Sequence, residues 1–232
     1  MVSPPKSFTE LENAIAVRFR DKELLAQSLT HRSSVRRSKT NGHNERLEFL
    51  GDAVLELVTT DYLFRLSDRP EGELTNWRSA LVQRENLANV AHEIELGDYL
   101  FLSRGEQAGG GRSRDSNLAN ALEALIGAIY IDRGFAVAKD FCERFIIARL
   151  ATLLASGKHR DEKSLFQEHA QEQLGVTPRY EVLHAVGPDH DKQFTCAVFL
   201  GEEKVAEGVG NSKQKAEQAA AKEGLLLKKW KQ

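Results

Sequence analysis

Four carboxylates recur at helical spacing in one segment of this 232-residue chain, which reads NERLEFLGDAVLELV from residue 44 to residue 58. Projected at about 100° per residue, they fall within about 80° of one another on one helix face. They are Glu45, Glu48, Asp52 and Glu56. No Lys or Arg stands four residues after Glu48 or Asp52 to offset the charge. Crowded carboxylates repel one another, so this face predicts a site for a divalent cation that prefers oxygen ligands.

A solvated acidic face is the alternative interpretation of this helix, and for a generic helix it is the more common one. Phe49 and Leu55 flank the carboxylates, which makes that side less polar than a fully solvated face. On the other side, an apolar stripe is predicted to face the core. The stripe consists of Leu47, Leu50, Val54, Leu57 and Val58.

A second acidic element is predicted in the segment from residue 117 to residue 132. Glu123 is a lone carboxylate among apolar and small residues, and only the polar Asn120, one turn earlier, shares its face. A charge in such surroundings needs a partner, which could be a structural hydrogen bond or a metal ion. If the two acidic helices meet with their acids inward, they would form a Mg²⁺ cluster able to activate water and hold a phosphate.

The elements that must position these acids are predicted to be helices. From Phe8 to about Ala155, apolar residues recur at spacings of three and four, with breaks near Asn41-Gly42, Arg69-Pro70 and Gly109 to Gly111. The polar stretch 156–161 has no apolar periodicity and is typical of a linker. After it, the pattern predicts a helix (162–174), three strands (180–185, 194–200 and 203–209) and a helix (212–229), which make a small α+β domain with the order α-β-β-β-α.

Composition excludes several classes of protein. The chain is 41% hydrophobic, which is enough for a core, and it has no apolar run of the roughly 18 residues that a membrane span needs. Its two cysteines lie far apart without metal-ligand spacing, which argues against a disulfide framework and a structural zinc site. We therefore expect a cytoplasmic protein with no membrane partner. The net charge of −2 gives no hint of nucleic-acid binding.

Local charge differs from net charge at the C-terminus. Residues 204–232 contain seven Lys and three Glu. Asn211-Ser212 is a predicted helix cap, and Lys213 and Lys215 fall in the first helical turn, where a cation opposes the helix dipole. These residues are either ordinary solvated lysines or a site for an external anion, for which a phosphate backbone is suitable.

The motifs resemble one known family along nearly the whole chain. The NERLEFLGDAVLELV segment is similar to the signature of bacterial ribonuclease III, and GEQAGGGRSRDSNLANALEALIGAIYID (105–132) is similar to its second characteristic block. The C-terminal part resembles the double-stranded-RNA-binding domain of that family. The resemblance implies an all-α endonuclease domain (1–155), a linker (156–161) and an RNA-binding domain (162–232).

The resemblance also implies a function. It indicates a homodimeric, Mg²⁺-dependent endoribonuclease that cuts double-stranded RNA to 5′-phosphate and 3′-hydroxyl ends during rRNA and mRNA processing and maturation. Phe49 and Leu55 are predicted at the dimer interface. A further family acid is matched, less securely, by Glu71. The implied catalytic residues are Glu45, Glu48, Asp52 and Glu123, and the implied metal ligands are Glu48, Asp52, Asn120 and Glu123.

For the RNA-binding domain, the resemblance implies that the first helix and the loop between the first two strands contact minor grooves of the duplex. The start of the last helix meets the phosphates between those grooves. The implied residues are Gln167, Glu168, His190, Ser212, Lys213 and Lys215. His190 could equally be a turn residue. Gln214 stands where this family commonly has a basic residue.

One departure from the family pattern lies in the acidic site. The sequence reads LANALEAL where LADALEAL is expected, so Asn120 replaces an aspartate. Asn120 keeps a carbonyl oxygen but lacks the negative charge, which should weaken metal binding. Two hypotheses follow. The enzyme tolerates Asn120, or the chain is a cleavage-impaired protein that binds double-stranded RNA.

Overall fold

The computed structural model describes residues 6–35, 42–155, 162–188 and 192–230. The chain divides into two compact units, Met1–Ser156 and Gly157–Gln232. The linker predicted at 156–161 lies outside the described residues.

Helices form the first unit, as the apolar spacing predicts. Among its described residues there is no strand, only an isolated bridge between Thr30 and Phe101. Pro70 directly precedes one helix, and glycines follow another at the predicted break. The helices are α1 (Phe8–Ile15), α2 (Lys22–Ser28), α3 (Glu45–Leu66), α4 (Glu71–Val82), α5 (Arg84–Glu93), α6 (Arg104–Ala108), α7 (Asp115–Arg133), α8 (Phe135–Phe145) and α9 (Leu150–Ala155).

Helices α3 and α7 touch backbone to backbone at a pair of glycines. A Cβ atom at Gly51 of α3 would lie 1.7 Å from the carbonyl oxygen of Glu123. A Cβ atom at Gly127 of α7 would lie 2.3 Å from the carbonyl oxygen of Leu47. No side chain fits at either position, so only glycine permits this approach. The contact brings the acids of α3 alongside those of α7.

The core-facing side of α3 differs in two positions from the predicted one. Leu55, predicted beside the carboxylates and at the dimer interface, is fully buried in the core of its own unit, so that prediction is wrong. Leu57, predicted to face the core, is 58% exposed. The physical reason is that α4, α7 and α8 all pack against α3. A helix covered on several sides has no single narrow core stripe.

The second unit has the predicted order α-β-β-β-α. Its elements are α10 (Glu162–Leu174), β1 (Arg179–Val186), β2 (Gln193–Leu200), β3 (Glu203–Gly210) and α11 (Lys213–Leu227). The strands form one antiparallel sheet in the order β1-β2-β3. A small core that includes the fully buried Phe166 lies between the helices and the sheet. The predicted fold class is therefore confirmed for both parts of the chain.

Two glycines of β3 set the position of α11. A Cβ atom at Gly208 would lie 2.0 Å from the amide nitrogen of Ala220, and one at Gly210 would lie 2.6 Å from that of Ala216. Both alanines are fully buried. Because α11 rests directly on the strand, the position of its first turn is fixed by backbone contact.

Both cysteines are free and buried, which agrees with the absence of a disulfide framework. Burial raises the pKa of the Cys142 thiol to about 12. Burial also raises the pKa of Cys196. Within the ranges that the structure describes, no helix is both long enough and apolar enough to cross a membrane.

We predict that Gly51→Ala lowers the free energy of unfolding by about 3 kcal/mol or more, because the added methyl group meets backbone atoms that cannot move independently. Urea denaturation of the full chain measures this change. The control is Gly105→Ala in α6, where an added Cβ meets nothing within 4 Å. The control should be neutral or stabilised by up to about 1 kcal/mol. Equal unfolding midpoints for the two variants would contradict the contact.

Candidate active site and RNA-binding surface

The structure brings together the four predicted metal ligands at the contact of α3 and α7. Glu48 and Asp52 flank Gly51 on α3, while Asn120 and Glu123 lie on successive turns of α7. The Asn120 side-chain amide lies close enough to the Glu48 carboxylate to act on the pKa of Glu48, which it lowers. We call Glu48, Asp52, Asn120 and Glu123 the acidic cluster.

The carboxylates of the acidic cluster perturb one another. Burial and the neighbouring charges of Asp52 and Glu48 together raise the pKa of Glu123 to about 7, against the opposing charge of Arg84. Burial and the neighbouring charge of Glu45 also raise the pKa of Glu48, against the opposing effect of the Asn120 side chain. In the described parts of the chain, none of the three carboxylates has a cationic side chain within ion-pair distance. The negative charge of the cluster therefore has no ion-pair partner among the described residues.

Glu45 lies one turn before Glu48 but has a cationic neighbour, Arg32, and a histidine close by. Its Oε1 lies 3.3 Å from Nη1 of Arg32, and its Oε2 lies 3.6 Å from Nδ1 of His43. Glu45 is therefore partly neutralised, unlike the acidic cluster next to it.

At the other end of the acidic face, Glu56 is also paired. Its Oε2 lies 3.1 Å from Nε of Arg78. Nη1 of the same arginine donates a hydrogen bond to the Thr60 hydroxyl at 3.1 Å. Our sequence reasoning missed both Arg32 and Arg78. No spacing pattern could have identified them, because each comes from an element other than α3.

Glu71, the less secure family match, lies at the start of α4 and lines a cavity against the second half of α3. Its Oε1 accepts a hydrogen bond from the Thr75 hydroxyl at 3.0 Å. The α3 residues of the cavity begin at Thr60, about 12 Å along the helix axis beyond Asp52. The cavity has a volume of about 410 Å³. Its lining residues are Thr60, Leu63, Phe64, Arg69, Glu71, Leu74, Thr75 and Arg78.

The acidic cluster offers the chemistry of a magnesium site in its donor atoms: three carboxylates and one amide oxygen are the ligands that this ion prefers. Over the described ranges, however, no group of three or more His, Cys, Asp and Glu side chains is arranged so that it could hold a metal ion. In this arrangement the Asn120 amide lies beside the Glu48 carboxylate. The donor set fits Mg²⁺, and ion binding requires these side chains to rearrange.

In the second unit, the first turn of α11 is exposed and cationic. The hydroxyl of Ser212 accepts a hydrogen bond from the amide of Lys215 at 3.2 Å, which confirms Ser212 as the helix cap. Lys213 and Lys215 are exposed. Neither side chain is paired with a carboxylate within the described residues. Amide groups at the start of a helix and free lysines together favour an anionic ligand.

Helix α10 reaches the same region of the second unit. Lys163 Nζ in its first turn lies 2.7 Å from Glu217 Oε2 of α11. Gln167, one turn further along α10, and Glu168 are both exposed. His190 lies outside the described residues. The predicted RNA-binding residues on the two helices are therefore accessible.

Comparison with known proteins identifies the family. A model described as "Ribonuclease-III-like" matches residues 21–150, and a model of the double-stranded RNA binding motif matches residues 162–227. Ribonuclease 3 of Geobacter sulfurreducens is 47% identical over 93% of this chain and 88% of its own length. Ribonuclease 3 of Campylobacter fetus is 42% identical over 91% of this chain and 93% of its own length.

A solved structure supports the fold of the first unit. The nuclease domain of ribonuclease III from Campylobacter jejuni is 43% identical, with a TM-score of 0.57, and the match covers 61% of this chain and 97% of that one. That structure is described as showing flexibility in a region involved in dimer formation. The chain belongs to the ribonuclease III family and combines its nuclease domain with a double-stranded-RNA-binding domain.

We predict that the double variant Lys213→Gln/Lys215→Gln weakens binding of duplex RNA by about tenfold near physiological salt. The loss of two phosphate contacts should make the plot of log affinity against log salt shallower by about two. Filter binding or fluorescence anisotropy in EDTA measures both quantities. The control is Lys222→Gln, an exposed lysine in the middle of the same helix. An unchanged salt dependence in the double variant would contradict the assigned surface.

Proposed function

We propose that this chain is a Mg²⁺-dependent endoribonuclease that cleaves double-stranded RNA and acts in rRNA and mRNA processing in the cytoplasm. Membership of the ribonuclease III family supports the endonuclease activity on double-stranded RNA. The observation that carries the metal dependence is the juxtaposition of Glu48, Asp52 and Glu123 with no ion-pair partner in the described residues. Incubation of duplex RNA with the purified chain in Mg²⁺, beside the same reaction in EDTA, tests both parts.

The proposed reaction is hydrolysis of one phosphodiester bond in each strand. The oxygen of water forms a new bond to phosphorus, and the bond from phosphorus to the 3′ oxygen breaks. The proton that water loses is matched by the proton that the 3′ oxygen gains, so the products carry a 5′-phosphate and a 3′-hydroxyl. Sequencing of the cleaved ends, or their response to phosphatase and ligase, tests this assignment.

Glu48, Asp52, Asn120 and Glu123 are the residues that would hold Mg²⁺. When bound, the ion supplies positive charge that makes water a better nucleophile and stabilises charge on the phosphate. The carboxylate oxygens that would bind the ion come from two helices whose relative position is fixed, because their backbones touch at Gly51 and Gly127. We propose a supporting catalytic role for Glu45, whose pairing with Arg32 places it at the edge of the acidic cluster.

The second candidate function is a protein that binds double-stranded RNA but cleaves it poorly. The observation that favours it is the position of the neutral Asn120 amide beside the Glu48 carboxylate. An aspartate at this position would carry a negative charge. Asn120 therefore supplies one charge fewer to the residues that would hold the ion.

We predict that Asn120→Asp raises Mg²⁺ affinity and cleavage together while barely changing RNA affinity. The restored charge should matter most at low Mg²⁺, where site occupancy limits the rate, and little at saturating Mg²⁺. Initial cleavage rates at a series of Mg²⁺ concentrations and one salt concentration measure this. Overlapping curves for the two proteins would mean that Asn120 is not part of the metal site.

Two further results of this titration separate the candidate functions. Glu123→Gln serves as the inactive reference, because it removes one charged ligand and should abolish cleavage while leaving duplex binding nearly intact. An unmodified chain that is as inactive as Glu123→Gln at every Mg²⁺ concentration, beside an active Asn120→Asp variant, supports the cleavage-impaired protein. Glu123→Gln that cleaves at the full rate would contradict the proposed active site.

We also propose that the chain forms a homodimer through α3. A stripe of exposed apolar residues runs along this helix: Phe49 is 80% exposed, Leu57 58% and Phe64 76%. On a helical projection they lie within about 80° of one another, with Ala53 between them. Apolar side chains in a contiguous row are costly to expose to water, which favours a partner that covers them.

A second copy of the chain fits this stripe. Phe49 and the cavity residue Leu63 are 14 positions apart on α3, which is about 21 Å along the helix axis. If a two-fold axis crosses α3 near Glu56, Phe49 of each protomer lies opposite the cavity of its partner, as a self-complementary contact requires. The same arrangement brings Glu71, which lines the cavity, toward the partner's acidic cluster.

We predict that Phe49→Asp converts the proposed dimer to a monomer, because an aspartate cannot make the apolar contacts that the Phe49 ring would make with the leucines and the phenylalanine of the cavity. Sedimentation equilibrium at several concentrations measures the dissociation constant, which should rise at least a hundredfold. Leu226→Asp is the control, since Leu226 is 63% exposed but belongs to the second unit. A Phe49→Asp variant that remains fully dimeric would contradict the α3 interface.

A further inference from the structure

Arg32 lies beside the acidic cluster and extends into solvent. It begins a short 3₁₀ turn, Arg32–Ser34, ahead of α3, and its side chain is 72% exposed. Its guanidinium Nη1 lies 3.3 Å from Oε1 of Glu45. In the part of the chain that the structure describes, Glu45 is the one carboxylate that pairs with it. Four of its five N–H donors therefore remain available.

Two hydrogen bonds connect the turn that carries Arg32 to the segment before α6. The amide of His31 donates to the Phe101 carbonyl at 3.1 Å. The hydroxyl of Ser33 accepts from the amide of Ser103 at 3.1 Å. The backbone at Arg32 is therefore held by contacts to the segment before α6.

The ion pair with Glu45 does not explain why the backbone at Arg32 is fixed by these hydrogen bonds. Both side chains are about half exposed or more, and an exposed ion pair contributes little to stability. A cation held in place, with most of its donors directed to solvent, is instead suited to an external anion. Arginine donors in a planar fork match the oxygens of a phosphate.

Electrostatics give an independent reason for a cation at this point. An RNA strand that approaches Glu48, Asp52 and Glu123 brings phosphates toward three carboxylates, and a positive charge beside them reduces the repulsion in addition to that of the proposed ion. The charge of Arg32 already reaches the acidic cluster, since it acts to lower the pKa of Glu48 against the effect of burial.

We propose that Arg32 binds a backbone phosphate of the RNA strand at the edge of the acidic cluster. The proposal rests on the proposed function, because it takes duplex RNA as the ligand of this site. Arg32 is then a substrate-binding residue of the nuclease domain that contributes affinity independent of base sequence. Its contact with Glu45 keeps the guanidinium beside the acidic cluster.

The test measures binding without cleavage. Dissociation constants for a short RNA duplex are determined at fixed Mg²⁺ over a series of salt concentrations, with the full chain in the Glu123→Gln background. Three variants are added to that background: Arg32→Gln, Arg32→Lys and Arg18→Gln. Arg18 is the matched control, since it is 59% exposed and also pairs with a single carboxylate, that of Glu12, at 3.5 Å. Thermal unfolding of each protein verifies that the fold is unchanged.

Arg32→Gln should weaken binding roughly 5- to 10-fold at about 0.1 M salt and should make the plot of log affinity against log salt shallower by about one. Arg32→Lys keeps the charge and should restore the slope. Arg18→Gln should change neither quantity. An Arg32→Gln variant with the same affinity and slope as its background overturns the proposal. So does an Arg32→Lys variant whose slope equals that of Arg32→Gln.

Cleavage by the unmodified chain reports separately on the proposed function. A chain that fails to cut duplex RNA in Mg²⁺, but whose salt dependence responds to Arg32→Gln, contradicts the nuclease activity and supports the phosphate contact. A chain that cuts RNA but binds it equally well without Arg32 contradicts the phosphate contact alone.

Discussion

The backbone contact between α3 and α7 is the constraint on which the candidate active site depends. Gly51 and Gly127 have no side chains, and a Cβ at either position would overlap carbonyl atoms of the other helix. Glu48 and Asp52 stand three residues before and one residue after Gly51, and Glu123 stands one turn before Gly127. The distance between the backbone positions that carry the acids is therefore fixed by direct contact of the two helices and not by packing of flexible side chains. Carboxylates repel one another, so they would move apart if the helices that carry them were free to separate.

Charge along α3 changes in a way that defines the limits of the site. Glu45 is paired with Arg32, and Glu56 is paired with Arg78. Between them, Glu48 and Asp52 have no such partner in the described residues and share the space with Glu123 of α7. Neutralised carboxylates at both ends confine the unpaired negative charge to the middle of the helix face. A cation is therefore attracted to one place and not to the whole acidic surface.

The sequence predicts those parts of the structure that depend on local periodicity. The acids of α3, the break at Pro70, the three strands and the Ser212 cap all follow from spacing within one element, and the structure confirms them. Properties that depend on neighbouring elements are not predictable in this way. The helical projection places Leu55 on the exposed side and Leu57 on the core side of α3, and both positions are wrong. A single projection cannot represent a helix that packs against three others.

The two buried cysteines have a practical consequence for spectroscopy. A thiol whose pKa is about 12 holds only about one part in 10⁵ as thiolate at neutral pH, and the thiolate is the form that reacts with maleimides and nitroxide reagents. The pKa of Cys196 is likewise raised, and its side chain is fully shielded from solvent. The chain is therefore close to a cysteine-free background as it stands. One cysteine introduced on an exposed position, such as Gln167 of α10, can carry a fluorophore or spin label without prior removal of the native thiols.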